Sequence, residues 1–279
     1  MYYRSTRDSI PTWLPSITVI SVTESPDARQ ADLCCLCGSS ASLTGEHKVK
    51  ASALRKIFGR EPMVIGSFDG TSVPRDAQGP KSQAFHFSAR ICALCNSTQT
   101  QAPDREFDRF HALVSELLSQ GKAPETVFSL PQYDLSSTPY LNVSRYFAKL
   151  LCCHVAESGG PRPLAVSEFS LGRTGINAVG LYIDADPTYE TFHESFGEHK
   201  YAAHGGLIVP VDSKTQLPTS FRSSLTLGAV RYIFWVRFGA LAGLALQVFH
   251  QPFFEKCQAA YREALRNPLS DDERRRLGI

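Results

Sequence analysis

The sequence predicts an α+β protein in two parts: a small metal-stapled module of two strands and a helix, followed by a larger α+β domain with an antiparallel sheet. Three observations carry this. Cys34 and Cys37 form a C-x-x-C pair that Cys92 and Cys95 repeat. Apolar residues recur at helical spacing over 104–120 and again over 146–155. Short β-branched and aromatic runs separated by Asp and Pro turns fill much of the remainder.

C-x-x-C spacing lets two thiolates reach one zinc from a tight turn, and Gly38 after the first pair tolerates φ > 0. One such pair also suits redox chemistry; two with a folding unit between them indicate a shared structural zinc on Cys34, Cys37, Cys92 and Cys95. Cys35 is left outside that shell. The bland alternative is four ordinary buried thiols.

Composition sets outer limits. The chain has 279 residues, 43% of them hydrophobic and 20% charged, as expected of a soluble globular protein. A formal net charge of +2 excludes a polycation, so any hold on nucleic acid needs a local patch. Lys48, Lys50, Arg55, Lys56 and Arg60 follow Glu46-His47 directly, with Lys81 and Arg90 just before the second cysteine pair. The first residues, MYYRSTRDSIPTWLP, have no uninterrupted apolar core, and eight cysteines, four of them in metal-like pairs, fit a reducing interior. A cytoplasmic protein with no membrane association is expected.

In chain order, Ile17 to Thr23 reads as a strand and ASALRKIF (51–58) as a short helix with Arg55 and Lys56 on its polar side. Gly59 to Gln83 reads as an inserted loop or hairpin, and Ala84 to Ile91 as a strand leading into Cys92. A helix opens at Pro103-Asp104, with Asp104 as its cap and Phe107, Phe110, Val114 and Leu117 on one face, and stops at Gly121. The Pro- and Ser-rich stretch from Pro124 to Pro139 suggests a boundary between domains 1–125 and 140–279.

In the second part, Tyr146, Leu150 and His154 share one helical stripe and Phe147, Leu151 and Val155 the next, ending at Gly159-Gly160-Pro161. Cys152, Cys153 and His154 are read as core rather than a second metal site, because adjacent helical residues point to different sides. Strands are expected at Ala178–Ile183, Gly206–Val211 and Val230–Phe238. The apolar segment Leu225–Phe249 is interrupted by Arg231 and Arg237, which argues against a membrane span, and residues from Phe253 to Arg266 suit an amphipathic helix. This half carries no recognisable chemistry and is given a role in substrate selection, regulation or homo-oligomer formation.

Leu43-Thr44-Gly45-Glu46-His47, set between the two cysteine pairs, together with CALCNSTQTQAPD from Cys92 to Asp104, resembles the HNH (ββα-metal) endonucleases of phage and bacterial proteins. The likeness covers the second quarter of the chain. It implies hydrolysis of DNA phosphodiester bonds in a phage or anti-phage setting, with His47 as general base and Glu46 and Asn96 holding a catalytic Mg²⁺ or Mn²⁺ distinct from the zinc. The chemistry is coherent: a neutral imidazole titrates near working pH, and oxygen ligands select hard cations where thiolates select zinc. Lys48, Lys50, Arg55, Lys56 and Arg90 would face the DNA. The chain departs from the family in two places. The middle asparagine falls near Phe87 and Ser88, leaving its role to a backbone carbonyl or His86, and the proline after the histidine is Lys50. Asp104 is read as a cap before a metal ligand, and His111 as a surface or interface histidine before a ligand. A treble-clef-like zinc module that binds nucleic acid or protein without cutting is the alternative.

Overall fold

The computed structural model describes residues 32–59, 63–68, 75–77, 79, 82, 85–189, 201–268, 270 and 271. The strand expected at 17–23 lies outside them, as do Arg60 and Lys81.

The α+β class is observed. Strand β1 (Leu43–His47) pairs antiparallel with β4 (His86–Cys92), and a π-helical turn over Cys95–Gln99 joins β4 to helix α2 (Gln101–Ser119). Between β1 and β4 lie α1 (Ala51–Phe58) and the antiparallel pair β2 (Met63–Phe68) and β3 (Arg75–Ala77), the hairpin expected from the turn residues. The rest comprises α3 (Thr138–Glu157), α4 (Leu164–Ser170), β5 (Gly180–Ala185), β6 (Tyr201–Gly205), β7 (Ser220–Leu227), β8 (Val230–Arg237), α5 (Ala240–Phe249) and α6 (Gln251–Arg266).

The larger sheet has the order β3-β2-β6-β7-β8-β5. It is mixed rather than wholly antiparallel, because β2 runs parallel to β6, with Val64 opposite Tyr201. The hairpin inserted between β1 and β4 thus edges the sheet built by the C-terminal half. Gly206–Val211, expected as a strand, makes only isolated bridges from Ile208 to Arg222 and Val211 to Pro218. The paired strands are its neighbours β6 and β7.

Helix α3 is central. Ser137 caps it, its side chain accepting from Tyr140 N at 3.1 Å, and every residue from Tyr146 to Val155 is buried. That total burial explains two adjacent apolar stripes: one meets α2, where Tyr146 stacks on Phe107 with centroids 4.0 Å apart, and the other meets the sheet, where Phe147 lies 5.1 Å from Phe234. Cys152, Cys153 and His154 are core residues as expected, and His154 Nε2 lies 3.0 Å from Ser223 Oγ. The Pro- and Ser-rich stretch folds as two short 3₁₀ turns whose Val127 and Tyr133 join the same core. No described helix is long and apolar enough to cross a membrane.

Candidate metal centre and the Glu46–His47 strand end

The first cysteine pair sits on a tight loop in which Gly38 N donates to Cys34 O at 2.8 Å with Gly38 at φ +77°, a conformation that strains other residues. Cys37 N points at Cys34 Sγ, and Cys95 N at Cys92 Sγ, each at 3.5 Å. Cys35 N donates to Arg90 O at 3.0 Å, and Arg162, after α3, donates to Leu36 O at 3.1 Å. The last two bonds tie the first knuckle to β4, just before Cys92, and to the segment after α3.

Four sulfurs result, those of Cys34, Cys37, Cys92 and Cys95, all within 4.8 Å of one another; Cys37 and Cys92 Sγ are 3.6 Å apart. They lie close enough to hold a metal ion. Zn–S bonds of ~2.3 Å in a tetrahedron place sulfurs about 3.8 Å apart, so the cluster fits zinc, whose preference for thiolates matches the donor set. Cys34 is pulled down to about 4 by its bond with Cys95, while burial pushes Cys37 up and the same Cys34 bond pushes Cys95 up. A dication is what allows four such neighbours to ionise together. Cys35 stays outside, its Sγ 3.6 Å from Cys153 Sγ. Among the described residues no other three Cys, His, Asp or Glu ligand atoms converge in this way.

Asn96, next after the last of these cysteines, donates its amide N–H₂ to Thr44 Oγ1 at 3.1 Å and Gly45 O at 3.3 Å. A carbonyl only accepts, so the nitrogen faces the strand and the amide oxygen is directed elsewhere. The knuckle is thereby stitched to β1 one residue before Glu46. Pairing between β1 and β4 is regular as far as Gly45 opposite Arg90, shifts, and resumes with His47 opposite His86. The two imidazole centroids are 3.8 Å apart. His47 Nε2 is buried without a hydrogen-bond partner, and burial, then His86, Lys149 and Arg55, hold the ring down to about 4. His47 is therefore neutral at pH 7.

Glu46 turns the other way. Its Oε1 accepts from Lys149 Nζ at 2.8 Å, and the same ammonium donates to Asp104 Oδ1 at 2.7 Å. Lys149 is 1% exposed and Glu46 8%. Burial acts to lower the lysine's pKa, but Glu46 and Asp104 outweigh it and hold the ammonium charged. The three groups expected around one ion are thus only partly assembled: Asn96 and His47 belong to the same strand end, while the Glu46 carboxylate belongs to Lys149.

Lys149 was not foreseen, although a lysine inside YFAKLLCCHV carries the signal, because a charge on a fully buried helix needs a partner. Asp104 is not a cap: the helix begins earlier, with Thr100 at the cap position and its Oγ1 bonded to Cys95 O, and Asp104 faces Lys149. Of the residues expected to face DNA, Lys48 pairs with Glu157 at 3.0 Å and Lys50 with Asp108 at 2.7 Å, both partly buried. Arg55, Lys56 and Arg90 are exposed.

His111 is not at the surface, and among the described residues no metal-type cluster includes it. It is buried, with Nδ1 2.7 Å from Tyr232 Oη, and burial, aided by Lys56, holds it down to about 4 against an ordinary 6.5. Above about pH 6.5 neither state is protonated there; between 6.5 and 4 the unfolded chain takes up a proton that the folded one refuses. Stability is therefore lost as pH falls through that window, by roughly 3 kcal/mol from this residue. Melting temperatures from pH 7 to 4 should fall less steeply in His111→Gln than in the wild type; equal slopes would refute the assignment.

No family model matches the chain, and neither the curated proteins nor the solved structures contain a match.

Proposed function

We propose that the protein is a metal-dependent HNH-type endonuclease that hydrolyses DNA phosphodiester bonds, with a structural zinc on Cys34, Cys37, Cys92 and Cys95. One observation carries the reading: a zinc-type knuckle delivers Asn96 to the strand that ends in His47, whose ring is neutral with Nε2 unpartnered. In this reading the water that attacks phosphorus gives its proton to the His47 imidazole, the phosphorus–oxygen bond to the departing strand breaks, and the released oxygen takes up a proton from solvent. Exposed Arg55, Lys56 and Arg90 supply sequence-independent attraction for phosphate. The likeness of the two motifs to HNH proteins supports the same conclusion. Asn96 Oδ1 is the candidate ligand for Mg²⁺ or Mn²⁺; Glu46 does not fit that part while Lys149 holds its carboxylate.

A second reading, a zinc module that binds nucleic acid without cutting it, is favoured by the same Glu46–Lys149 bond. The two part in one experiment. Full-length, zinc-loaded protein is mixed with supercoiled plasmid in Mn²⁺, in Mg²⁺ and in EDTA, and retarded and nicked DNA are both scored. Nicking that needs the divalent ion supports the nuclease. Retardation without nicking supports the binding module, and protein that neither retards nor nicks DNA excludes both.

A further inference from the structure

We propose that Lys149 is the resident cation of the Glu46–Asp104 pair: its ammonium takes the place between these carboxylates that a divalent ion would otherwise take, and it positions β1 against α2. The proposal concerns the same strand end as the nuclease reading, but it is tested by metal affinity and not by nicking, so each can fail alone.

The argument begins with chain order. Glu46 is on β1, Asp104 in the first turn of α2 and Lys149 near the middle of α3. These elements come from distant parts of the sequence and meet at one nitrogen, with oxygens at 2.8 and 2.7 Å. Two carboxylates turned inward toward one point would repel each other without a positive charge between them. Hard divalent ions and ammonium groups both meet that need, and here the ammonium is covalently supplied. The Tyr146 ring lies 5.4 Å from Nζ and adds its negative face to the enclosure.

Solvent competes little at the ammonium, because Lys149 is almost wholly buried and Glu46 nearly so, while Asp104 is partly buried. Lys50 extends the arrangement on the far side of Asp104, donating to its backbone oxygen at 2.6 Å and to Asp108 Oδ2 at 2.7 Å. The first turn of α2 is therefore gripped by two lysines, one from each side. An ion entering between Glu46 and Asp104 must displace a buried ammonium that already bonds to both carboxylates. A divalent ion bound by this protein is therefore coordinated without Glu46. Through Glu46, Lys149 also fixes the irregular Gly45–His47 segment, which makes it a positioning residue for His47.

The test uses full-length protein loaded with zinc, with Mn²⁺ as the probe. Free Mn²⁺ is followed by electron paramagnetic resonance, and zinc content serves as the control for folding. Glu46→Gln is expected to change Mn²⁺ affinity by less than twofold, or to leave undetectable binding undetectable. A larger loss of affinity overturns the proposal. In Lys149→Ala the carboxylates are freed, and millimolar Mn²⁺ is expected to raise the melting temperature by about 5 °C or more. That rise should exceed any in the wild type and be lost in Lys149→Ala combined with Glu46→Gln. No rise in Lys149→Ala, or an equal rise in the wild type, overturns the proposal. Should Lys149→Ala fail to fold, the Glu46→Gln titration decides alone.

Discussion

Cys92→Ser is expected to strip the protein of one equivalent of bound zinc and to lower its melting temperature by more than about 10 °C. Cys92 is 5% exposed at the end of β4, its Sγ accepts from Cys95 N, and it lies 3.6 Å from Cys37 Sγ across the cluster. A serine hydroxyl there is a poor zinc ligand at neutral pH and falls short of the thiolate's reach. Apparent binding free energies of structural zinc in small peptides are on the order of 10–16 kcal/mol, while whole domains are stable by only about 5–15 kcal/mol. A metal holding both knuckles therefore outweighs any single packing contact nearby. The loss should spread beyond the knuckles, because Cys92 terminates the strand that pairs with β1 and Cys95 begins the turn into α2. Cys257→Ser, a buried thiol far along the chain on α6, is the control and should keep its zinc. Metal analysis beside calorimetry checks both, and unchanged zinc in Cys92→Ser would remove the structural site.

The knuckles were legible in the sequence because their chemistry is local. Two residues between cysteines and a glycine after the second describe one loop whatever surrounds it, and all four predicted sulfurs converge. Helices α1, α3 and α6 were legible for a related reason, since a 3.6-residue period registers in any window of a dozen residues. What escaped notice depends on distant partners. Strand β6, YAAHG, is buried throughout and carries no alternation, because it lies between β2 and β7 with both faces covered. Strand β7, SFRSSLTL, hides its pattern behind serines, one of which, Ser223, bonds to His154 on α3. The parallel joining of β2 to β6 spans more than a hundred residues, and no local signal encodes it.

The candidate site divides along the same line. Glu46, His47 and Asn96 were found by spacing, and Asn96 does reach the strand that carries the other two. The direction of the Glu46 side chain depended on a lysine 103 positions later. Lys48 and Lys50 likewise read as a surface patch until Glu157 and Asp108 are placed beside them. A run of lysines in text is a count of charges; whether they face phosphate or carboxylate is decided by which helix packs against them.

His47→Ala is expected to abolish divalent-ion-dependent nicking, by at least about 10²-fold, while leaving zinc content intact and the melting temperature unchanged or slightly higher. The activity half follows from the proposed role, since removing a positioned general base costs typically 10²–10⁴-fold. The stability half follows from the geometry. His47 Nε2 is buried with no hydrogen-bond partner, and a buried polar atom left unpaired costs about 1–3 kcal/mol. Burial together with His86, Lys149 and Arg55 already holds the ring neutral, so no ion pair is lost when it goes. Alanine removes the unsatisfied nitrogen together with some stacking on His86, and these effects oppose each other. A residue retained for packing alone would behave the opposite way, its truncation lowering the melting temperature by several degrees. Measured together on full-length protein, plasmid nicking, zinc content and melting temperature therefore separate a site residue from a core residue. Nicking that survives His47→Ala at the wild-type rate would end the case for His47 as the base, and lost stability with unchanged nicking would return it to the core.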